Sequence, residues 1–442
     1  MSDKNHSHQK TSSLIIKIEI EKLFGRYDYD LEIPQTSEND FSNIGIIYGD
    51  NGTGKTTILK LLFHLLSTRD ERGHRTFLAQ TPFLRFTVIF SDRTKISAFR
   101  EGLELEGPYK LKILKGKGKP IMVNVPVDEG VVKAGLPEVE YLLSKIDALG
   151  LTIFFLSENR TLYSDEIQVK EQFEKDILMA TEVIRKHKVM RDPRDAALSD
   201  SLNRIPLWLR QRYIQESSRG EAEAQQIYIN IVKALKHSGV PKTEDSAEKK
   251  RKLVKELKEL NEKSRIISKF GLVSKIKTGT LLNILTTTEP DVLPFVIPIV
   301  SSFIDGQKVR LNALEELNNI LDRFIKLING FFIDKKIDLT LDSGISISTD
   351  SGLALDPNRL SSGEKQLLLL FSNILTSSET ASLFIIDEPE ISLNVKWQRR
   401  LVDALIDLTD RTQCQFLLAT HSIELLTKHR NQVIQLKPFK TK

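Results

Sequence analysis

The chain has 442 residues, 40% of them hydrophobic and 28% charged, and its 64 basic and 59 acidic side chains give a formal net charge of +5. This composition is ordinary for a globular protein with a sizeable core, and so mild a positive charge does not by itself predict nucleic-acid binding. The single cysteine, Cys414, excludes an intrachain disulfide and favours a small buried hydrophobic side chain in a reducing compartment.

Two segments bear on location. Residues 1–13 are polar and lack the apolar region of a signal peptide, which predicts a disordered leader. The most apolar segment, Val292–Phe303, is too short to span a bilayer and contains two prolines. It is expected to pack in the core, with docking of a partner as the alternative. We therefore expect a cytoplasmic protein without a membrane partner.

Residues 14–162 alternate short apolar runs with turns, which predicts a strand-rich lobe. In chain order the pattern predicts a strand hairpin, a buried strand, a helix, an antiparallel set of strands and a last buried strand: Leu14–Ile33, Ile44–Tyr48, Thr56–Leu66, Phe83–Val125 and Leu151–Leu156.

Long polar segments with helical spacing fill residues 163–330, which predicts a helical insert. The apolar seam is short enough to favour a helical hairpin over a long coiled coil; it comprises Leu253, Leu257, Leu260 and Ile267. Strands and helices alternate again over residues 331–442, with buried strands expected at Leu383–Ile386, Gln415–Ala419 and Val433–Leu436. The sequence thus predicts an α/β head of two lobes, 14–162 and 331–442, separated by a helical insert.

A glycine-rich loop follows the strand Ile44–Tyr48 and precedes the first helix. It reads Gly49-Asp50-Asn51-Gly52-Thr53-Gly54-Lys55-Thr56, followed by Thr57, and we call residues 49–56 the P-loop. The glycines permit a tight turn that directs backbone N–H groups at phosphate oxygens, and the helix adds its positive N-terminal end. The motif predicts an ATP site in which Lys55 bridges the β- and γ-phosphates and the Thr56 hydroxyl binds Mg²⁺.

An acidic pair, Asp387-Glu388, follows the predicted strand Leu383–Ile386. Asp387 is expected to hold Mg²⁺ through water, and Glu388 to orient and deprotonate the attacking water. Acidic pairs are common after strands, so this pair indicates an ATPase only in combination with the P-loop.

Two further motifs complete the pattern. The segment Leu360-Ser361-Ser362-Gly363-Glu364-Lys365-Gln366 would alone predict a capped helix start, and His421 would alone be a capping or structural residue. All four motifs, however, stand in the order found in ABC ATPases, and the chain resembles that family at both ends. The resemblance implies an ABC-type head with a mixed sheet and an antiparallel subdomain. It also implies that residues Ser361, Ser362, Gly363 and Glu364 clasp the γ-phosphate bound to an opposite subunit, and that His421 contacts the γ-phosphate as the switch histidine.

About 300 residues separate Lys55 from Ser361, far more than in transporter ATPases. This spacing resembles the RecF, SMC and OLD branch, and the wording of the motifs resembles ATPase subunits of Septu and PARIS anti-phage systems. The resemblance implies a homodimer or higher even-numbered oligomer that controls a separately encoded nuclease or toxin. About 20 residues follow His421, too few for the TOPRIM nuclease of OLD proteins. A RecF-like DNA-repair ATPase is the alternative; the long insert argues against a transporter ATPase.

Several assignments stay open at the level of sequence. The glutamine that binds Mg²⁺ and water in ABC ATPases has no clear counterpart; Glu158 or Asn159 could replace it, with Gln80 a weaker candidate. Arg26 and Tyr27 are candidates to stack on the adenine, although exposed hairpin residues are the more ordinary interpretation. The resemblance places cross-subunit contacts at residues 392–394.

DNA is a further possible partner. One basic cluster comprises Arg185, Lys186, Lys188, Arg191 and Arg194, and a second comprises Lys249–Lys252, Lys255 and Lys258. On helices such clusters could follow phosphates without reading sequence. The second cluster is interleaved with glutamates, which favours an ordinary solvated helix face.

Overall fold

The computed structural model describes residues 14–37, 40–41, 43–158, 162–164, 193–237, 246–377, 382–409 and 414–437. The predicted leader, residues 1–13, lies outside this description. The chain divides into two compact units, which we call the sheet unit (residues 1–197 and 377–442) and the helical unit (residues 198–376). Across the described ranges, no helix is both long and apolar enough to cross a bilayer.

Sixteen strands and ten helices are described here, and their bounds are as follows. The strands are β1 (Ile15–Leu23), β2 (Tyr27–Glu32), β3 (Gln35–Ser37), β4 (Asp40–Phe41), β5 (Ile44–Tyr48), β6 (Arg85–Phe90), β7 (Thr94–Phe99), β8 (Tyr109–Lys115), β9 (Ile121–Val125), β10 (Thr152–Leu156), β11 (Leu162–Ser164), β12 (Lys335–Thr340), β13 (Gly344–Thr349), β14 (Ser382–Asp387), β15 (Cys414–Thr420) and β16 (Val433–Gln435). The helices are α1 (Lys55–Leu66), α2 (His74–Gln80), α3 (Pro137–Asp147), α4 (Pro193–His237), α5 (Ser246–Ile267), α6 (Gly279–Thr287), α7 (Leu293–Phe331), α8 (Ser362–Ser377), α9 (Val395–Thr409) and α10 (Ile423–Leu426).

Two six-stranded sheets form the sheet unit. The first is antiparallel, in the order β2-β1-β6-β7-β8-β9, as the alternating pattern predicts. The second has the order β11-β10-β14-β15-β5-β16, and all its pairs are parallel except β10–β11. Its central strands are almost wholly apolar because both faces of a parallel sheet are covered. The predicted α/β class, a mixed sheet with an antiparallel subdomain, is confirmed.

Helix α1, which begins in the P-loop, packs into this core. Ile58, Leu59 and Leu62 on α1 are fully buried and belong to one apolar cluster with residues of both sheets. Cys414, the first residue of β15, is buried and in no disulfide, as expected. Helices α2 and α3 were not predicted. Helix α3 has readable start signals, since Pro137 stands at its first turn together with Glu138 and Glu140.

The long helices α5 and α7 of the helical unit run parallel to each other, so these two helices do not form a hairpin; the helical hairpin of the insert stays a prediction. Ion pairs join them in the same order along both helices: Glu256–Lys308 at 2.9 Å, Lys263–Glu315 at 2.6 Å and Lys269–Asp322 at 3.0 Å. Short helix α6 lies between them in sequence, and its Leu285 packs against Leu253 and Leu257. The predicted seam residues of α5 are all buried.

The apolar segment Val292–Phe303 forms the start of α7 rather than an independent core element. Leu293, Pro294 and Val300 are buried, as the core interpretation predicts. Val292, Phe295 and Ile299 lie on another side of the same turns and are 48–63% exposed.

Candidate active site

The predicted catalytic segments of the sheet unit meet at one edge of the parallel sheet. Strands β5, β14 and β15 are parallel neighbours, and the P-loop, Asp387 and Thr420 stand at their carboxyl ends. Ligands of open α/β sheets bind at this edge, because loops after adjacent parallel strands converge there. Strand β10 pairs with β14 and brings Glu158 to the same edge.

Glycines shape the P-loop. Gly52 and Gly54 have φ values of 83° and 87°, in the left-handed region that favours glycine. A Cβ atom on Gly54 would lie 2.9 Å from Leu23 Cδ2 of the first hairpin, so the position also lacks room for a side chain. The loop thus has its shape before a ligand binds. The exposed Asn51 lies in this loop, and the half-buried Thr56 and Thr57 lie in the first turn of α1.

The Lys55 ammonium is turned inward over the P-loop. Its side chain is 6% exposed, and its Nζ donates to the carbonyls of Gly49 at 2.8 Å and Asp50 at 3.0 Å. Thr53 Oγ1 donates to the Asp50 carbonyl at 2.8 Å and closes the turn. An ammonium has three N–H donors, so one remains for a phosphate oxygen.

Asp387 is a buried carboxylate beside the start of α1. It is 2% exposed, and neither carboxylate oxygen has a hydrogen-bond partner among the described residues. Burial is the main reason that the pKa of Asp387 is raised to about 6, and the charges of Glu388 and Glu158 add to the increase. The Thr56 hydroxyl faces this carboxylate and opposes the increase without reaching hydrogen-bond geometry.

This arrangement fits a magnesium ion. Mg²⁺ prefers oxygen ligands and in phosphate-transfer sites uses one or two protein oxygens together with water and phosphate. Thr56 and Asp387 supply such oxygens, and the Asp387 oxygens lack protein partners in the described structure. The described residues contain no cluster of three or more His, Cys, Asp or Glu side chains that could hold a metal ion.

Glu388 has a strained backbone. Its φ is 48°, uncommon for a residue with a side chain, and the following Pro389 restricts it further. Its N–H donates to the Ala419 carbonyl at 2.9 Å, which fixes the strained residue to β15. A strained residue persists only where the surrounding structure holds it in place, and such residues are concentrated at functional sites.

His421 and Glu388 are in contact. His421 Nδ1 lies 3.4 Å from Glu388 Oε1, and the histidine side chain is 50% exposed. A second carboxylate, Glu390, has an oxygen 3.3 Å from the same nitrogen and is 5% exposed. No motif in the sequence assigns a role to Glu390, and glutamate side chains are mostly exposed in proteins.

The residues 361–364, which we call the Ser361 loop, lie in the helical unit at the start of α8. Ser361 and Glu364 form a capping box: the Ser361 N–H donates to Glu364 Oε2 at 2.7 Å, and the Glu364 N–H donates to Ser361 Oγ at 3.4 Å. Lys335 Nζ donates to both Glu364 oxygens at 2.8 Å. Burial raises the pKa of Glu364, but the Lys335 and Ser361 contacts outweigh it and the net pKa is lowered.

Ser361 and Ser362 are exposed, whereas Gly363 and Glu364 are buried. Two serine side chains are therefore accessible to a ligand, and Glu364 fixes the turn that presents them. Lys335, which supports Glu364, was missed because it stands in a separate strand, β12.

The first hairpin supports the P-loop. Tyr29 donates its hydroxyl to the Thr53 carbonyl at 2.7 Å, Tyr27 stacks on Tyr29 with ring centroids 5.8 Å apart, and the Arg26 guanidinium lies 4.3 Å from the Tyr27 ring centroid. Arg26 is exposed and therefore accessible to a ligand, and its contact with adenine stays a prediction. Phe24, 41% exposed, is a further aromatic candidate that sequence analysis missed; a Cβ on Gly54 would lie 3.3 Å from its ring.

The three candidates for the Mg²⁺-contacting glutamine have different surroundings. Glu158 lies close enough to Asp387 to raise its pKa. Asn159 lies outside the described residues. Gln80 ends α2, where its amide donates to the Gly130 carbonyl at 3.0 Å. Glu158 is therefore the candidate with a described electrostatic contact to the site.

The two basic clusters differ in what can be described. Residues 185–191 of the first cluster lie outside the described residues, and Arg194 lies at the start of α4. In the second cluster, Lys252 and Lys255 pair with Glu256 and Glu259 at 3.9 and 3.8 Å along α5. These pairs support the interpretation of a solvated helix face.

Comparison with known proteins gives the family. Residues 183–427, more than half of the chain, match the family model described as "AAA domain, putative AbiEii toxin, Type IV TA system". The chain belongs to this family. The matched range includes the Ser361 loop, Asp387, Glu388 and His421, whereas the P-loop lies N-terminal to it. Membership of an AAA domain family confirms the prediction of an ATPase domain.

Curated relatives include ATP-binding proteins of import systems. The zinc import ATP-binding protein ZnuC of Vibrio cholerae is 30% identical over 132 residues, 30% of this chain and 47% of the relative. A probable iron chelatin transport ATP-binding protein of Helicobacter pylori is 31% identical over 83 residues, 19% of this chain and 31% of the relative. The chain thus spans about half, or less, of the curated relatives it matches.

Solved structures that resemble the chain include an Smc head domain from Pyrococcus furiosus with an extended coiled coil, bound to the C-terminal domain of ScpA. The alignment covers 97% of this chain and 94% of that chain, at 14% identity and a TM-score of 0.37. At that score the likeness does not bear on mechanism.

Proposed function

We propose that this chain is the ATP-binding and ATP-hydrolysing regulatory subunit of a bacterial anti-phage defence system, acting in the cytoplasm. The observation that supports it best is the meeting of Lys55, Thr56, Asp387 and Glu388 at one sheet edge, with His421 in contact with Glu388. The family description names a toxin of a toxin–antitoxin system, which supports a controlled toxic response rather than transport.

The proposed reaction is transfer of the ATP γ-phosphoryl group to water. Lys55 binds the β- and γ-phosphates through its remaining N–H, and Glu388 accepts the proton of the water that attacks phosphorus. The phosphoanhydride bond then breaks, and ADP leaves with its new charge next to Lys55. Mg²⁺, held by Thr56 and Asp387, neutralises charge on the phosphate oxygens when bound.

Dimerisation completes the site in this proposal. The exposed serines of the Ser361 loop clasp the γ-phosphate held by the P-loop of an opposite subunit, so ATP joins two chains in a homodimer or a higher even-numbered oligomer. Hydrolysis removes the phosphate that both subunits contact, and the interface loosens. This cycle would control a separately encoded nuclease or toxin.

The test compares wild type with Glu388→Gln and Lys55→Ala by light scattering and phosphate release. Glu388→Gln keeps the size of the side chain and loses the base, so it should bind ATP, lose hydrolysis by about 100-fold or more and accumulate as an ATP-held assembly. Lys55→Ala should lose ATP binding. Hydrolysis by Glu388→Gln at the wild-type rate would show that the base is another residue, and association that ignores ATP would overturn the dimer mechanism.

A further inference from the structure

One buried carboxylate oxygen organises the loop that carries His421. Glu390 Oε1 accepts hydrogen bonds from Thr420 Oγ1 at 2.6 Å and from the backbone N–H groups of His421 and Ser422 at 3.0 and 3.2 Å. His421 Nδ1 lies 3.3 Å from the same oxygen. Glu390 thus contacts three consecutive residues, 420–422, which we call the His421 loop.

Packing alone does not fix the His421 ring. The side chain is 50% exposed, whereas Glu390 is 5% exposed and has little freedom to move. The loop has a second attachment, since Ser422 Oγ donates to Gln398 Oε1 at 2.8 Å and Gln398 Nε2 donates to the Leu393 carbonyl at 2.8 Å. That attachment holds the backbone after His421 and leaves the ring to its carboxylate contacts.

The two carboxylates near Nδ1 favour one tautomer of His421. Their negative charge attracts a proton, so the proton of a neutral ring belongs on Nδ1, and Nε2 is left as the second functional nitrogen. Glu388 and Glu390 approach Nδ1 at 3.4 and 3.3 Å. If Glu388 alone accepted this N–H, one oxygen of the proposed base would be committed to the histidine.

We propose that Glu390 is a positioning residue for the reaction: it holds the His421 loop and fixes the Nδ1–H tautomer, so that Nε2 faces the phosphate and Glu388 stays available to the water. The proposal rests on the proposed ATPase function and adds to it a residue that acts through His421. A carboxylate with only a structural role would support the loop whether or not a histidine were present.

The test is a double-mutant cycle on ATP hydrolysis, with Glu390→Gln, His421→Ala and the double variant. Glu390→Gln keeps the length and one acceptor oxygen but removes the charge from the histidine. It should lower kcat by about tenfold or more, the scale of an impaired acid–base group, and change the KM for ATP by less than about threefold. Exposed Glu138 on α3 provides the matched control, and Glu138→Gln should retain the wild-type kcat.

The decisive comparison is the effect of Glu390→Gln in the His421→Ala background, where the loss in kcat should disappear. A loss of equal size in both backgrounds overturns the proposal, as does a wild-type kcat for Glu390→Gln. If thermal unfolding shows that Glu390→Gln does not fold, the same cycle with Glu390→Asp decides, because the shorter carboxylate should give a smaller loss that also depends on His421. A wild-type protein that releases no phosphate would instead refute the ATPase function itself, and the proposal would fail with it.

Discussion

The carboxyl edge of the parallel sheet and the α5–α7 pair of the helical unit hold charged side chains in opposite ways. At the sheet edge, Asp387 and Glu390 are 2% and 5% exposed, and each has a carboxylate oxygen without a hydrogen-bond partner in the described structure. Along α5 and α7, ion pairs such as Lys255–Glu259 and Lys263–Glu315 lie at the surface. The buried polar side chains of these two helices, Ser264, Ser302 and Asn318, are uncharged, and the cluster around Leu257 is apolar.

This difference shows where stability is given up for chemistry. A buried carboxylate without a partner costs free energy, and so does the positive φ of Glu388. Both costs persist at the sheet edge, where a bound cation and phosphate would offset them. The helical pair contains neither feature, so its sequence is expected to serve packing. Substitutions in the two regions should therefore affect different measurements.

The largest expected effect is at Asp387, where activity and stability should change in opposite directions. Asp387→Asn removes the charge that faces Mg²⁺ and should lower ATP hydrolysis by at least about 100-fold, since several kcal/mol of charge stabilisation are lost. The same change removes the cost of burying the charge. Phosphate release and urea unfolding of the nucleotide-free protein measure the two effects.

The pH dependence separates this charge effect from other consequences of Asp387→Asn. The pKa of Asp387 in the folded protein is about 6 against an ordinary 3.8, so its contribution to stability is full below pH 3.8 and is lost as pH rises through 6. Relative to wild type, Asp387→Asn should therefore gain about 1–1.5 kcal/mol between pH 5 and pH 7.5. A difference that does not vary with pH would mean that Asp387 is not destabilised by its charge.

Sequence reasoning located this edge because its motifs are local. The P-loop glycines, the strand before Asp387 and the strand before His421 each show their structure within about ten residues. The contacts of Glu390 with Thr420 and of Lys335 with Glu364 join segments about 30 residues apart, and no periodicity indicates them. Such contacts depend on the order of the strands in the folded protein, which cannot be deduced from local sequence patterns.

In the helical unit, local spacing predicted one helix of a pair but not the helix that packs against it. The seam of α5 was readable from leucine spacing, but its partner helix was not, because the same seam fits a parallel or an antiparallel neighbour. Only the ion pairs between α5 and α7 settle the direction. The catalytic roles of the site residues stay predictions until the variants are measured.

An intermediate effect is expected in the small core of the helical unit, and it should be confined to stability. Leu257 is fully buried against Leu285, Val300 and Ile304. Leu257→Ala leaves a cavity and should cost about 2–5 kcal/mol of unfolding free energy, with kcat for ATP unchanged below the unfolding transition. Ile266→Ala, at a 58% exposed position of the same helix, is the control and should cost less than about 1 kcal/mol. A large fall in kcat for Leu257→Ala would break the comparison between the regions.

The smallest effect is expected among the charges of α5, and it depends on burial even within one helix. Lys255 and Glu259 are 80% and 61% exposed and 3.8 Å apart, so Lys255→Gln should change stability by less than about 0.5 kcal/mol. Glu256 is only 18% exposed and receives Lys308 at 2.9 Å, so Glu256→Gln should cost more, about 1 kcal/mol, and lose less of its effect in high salt. Urea unfolding at low and high ionic strength measures both. Equal costs for the two variants would mean that exposure does not govern the ion pairs of this helix, and that the contrast with the buried carboxylates at the sheet edge has another cause.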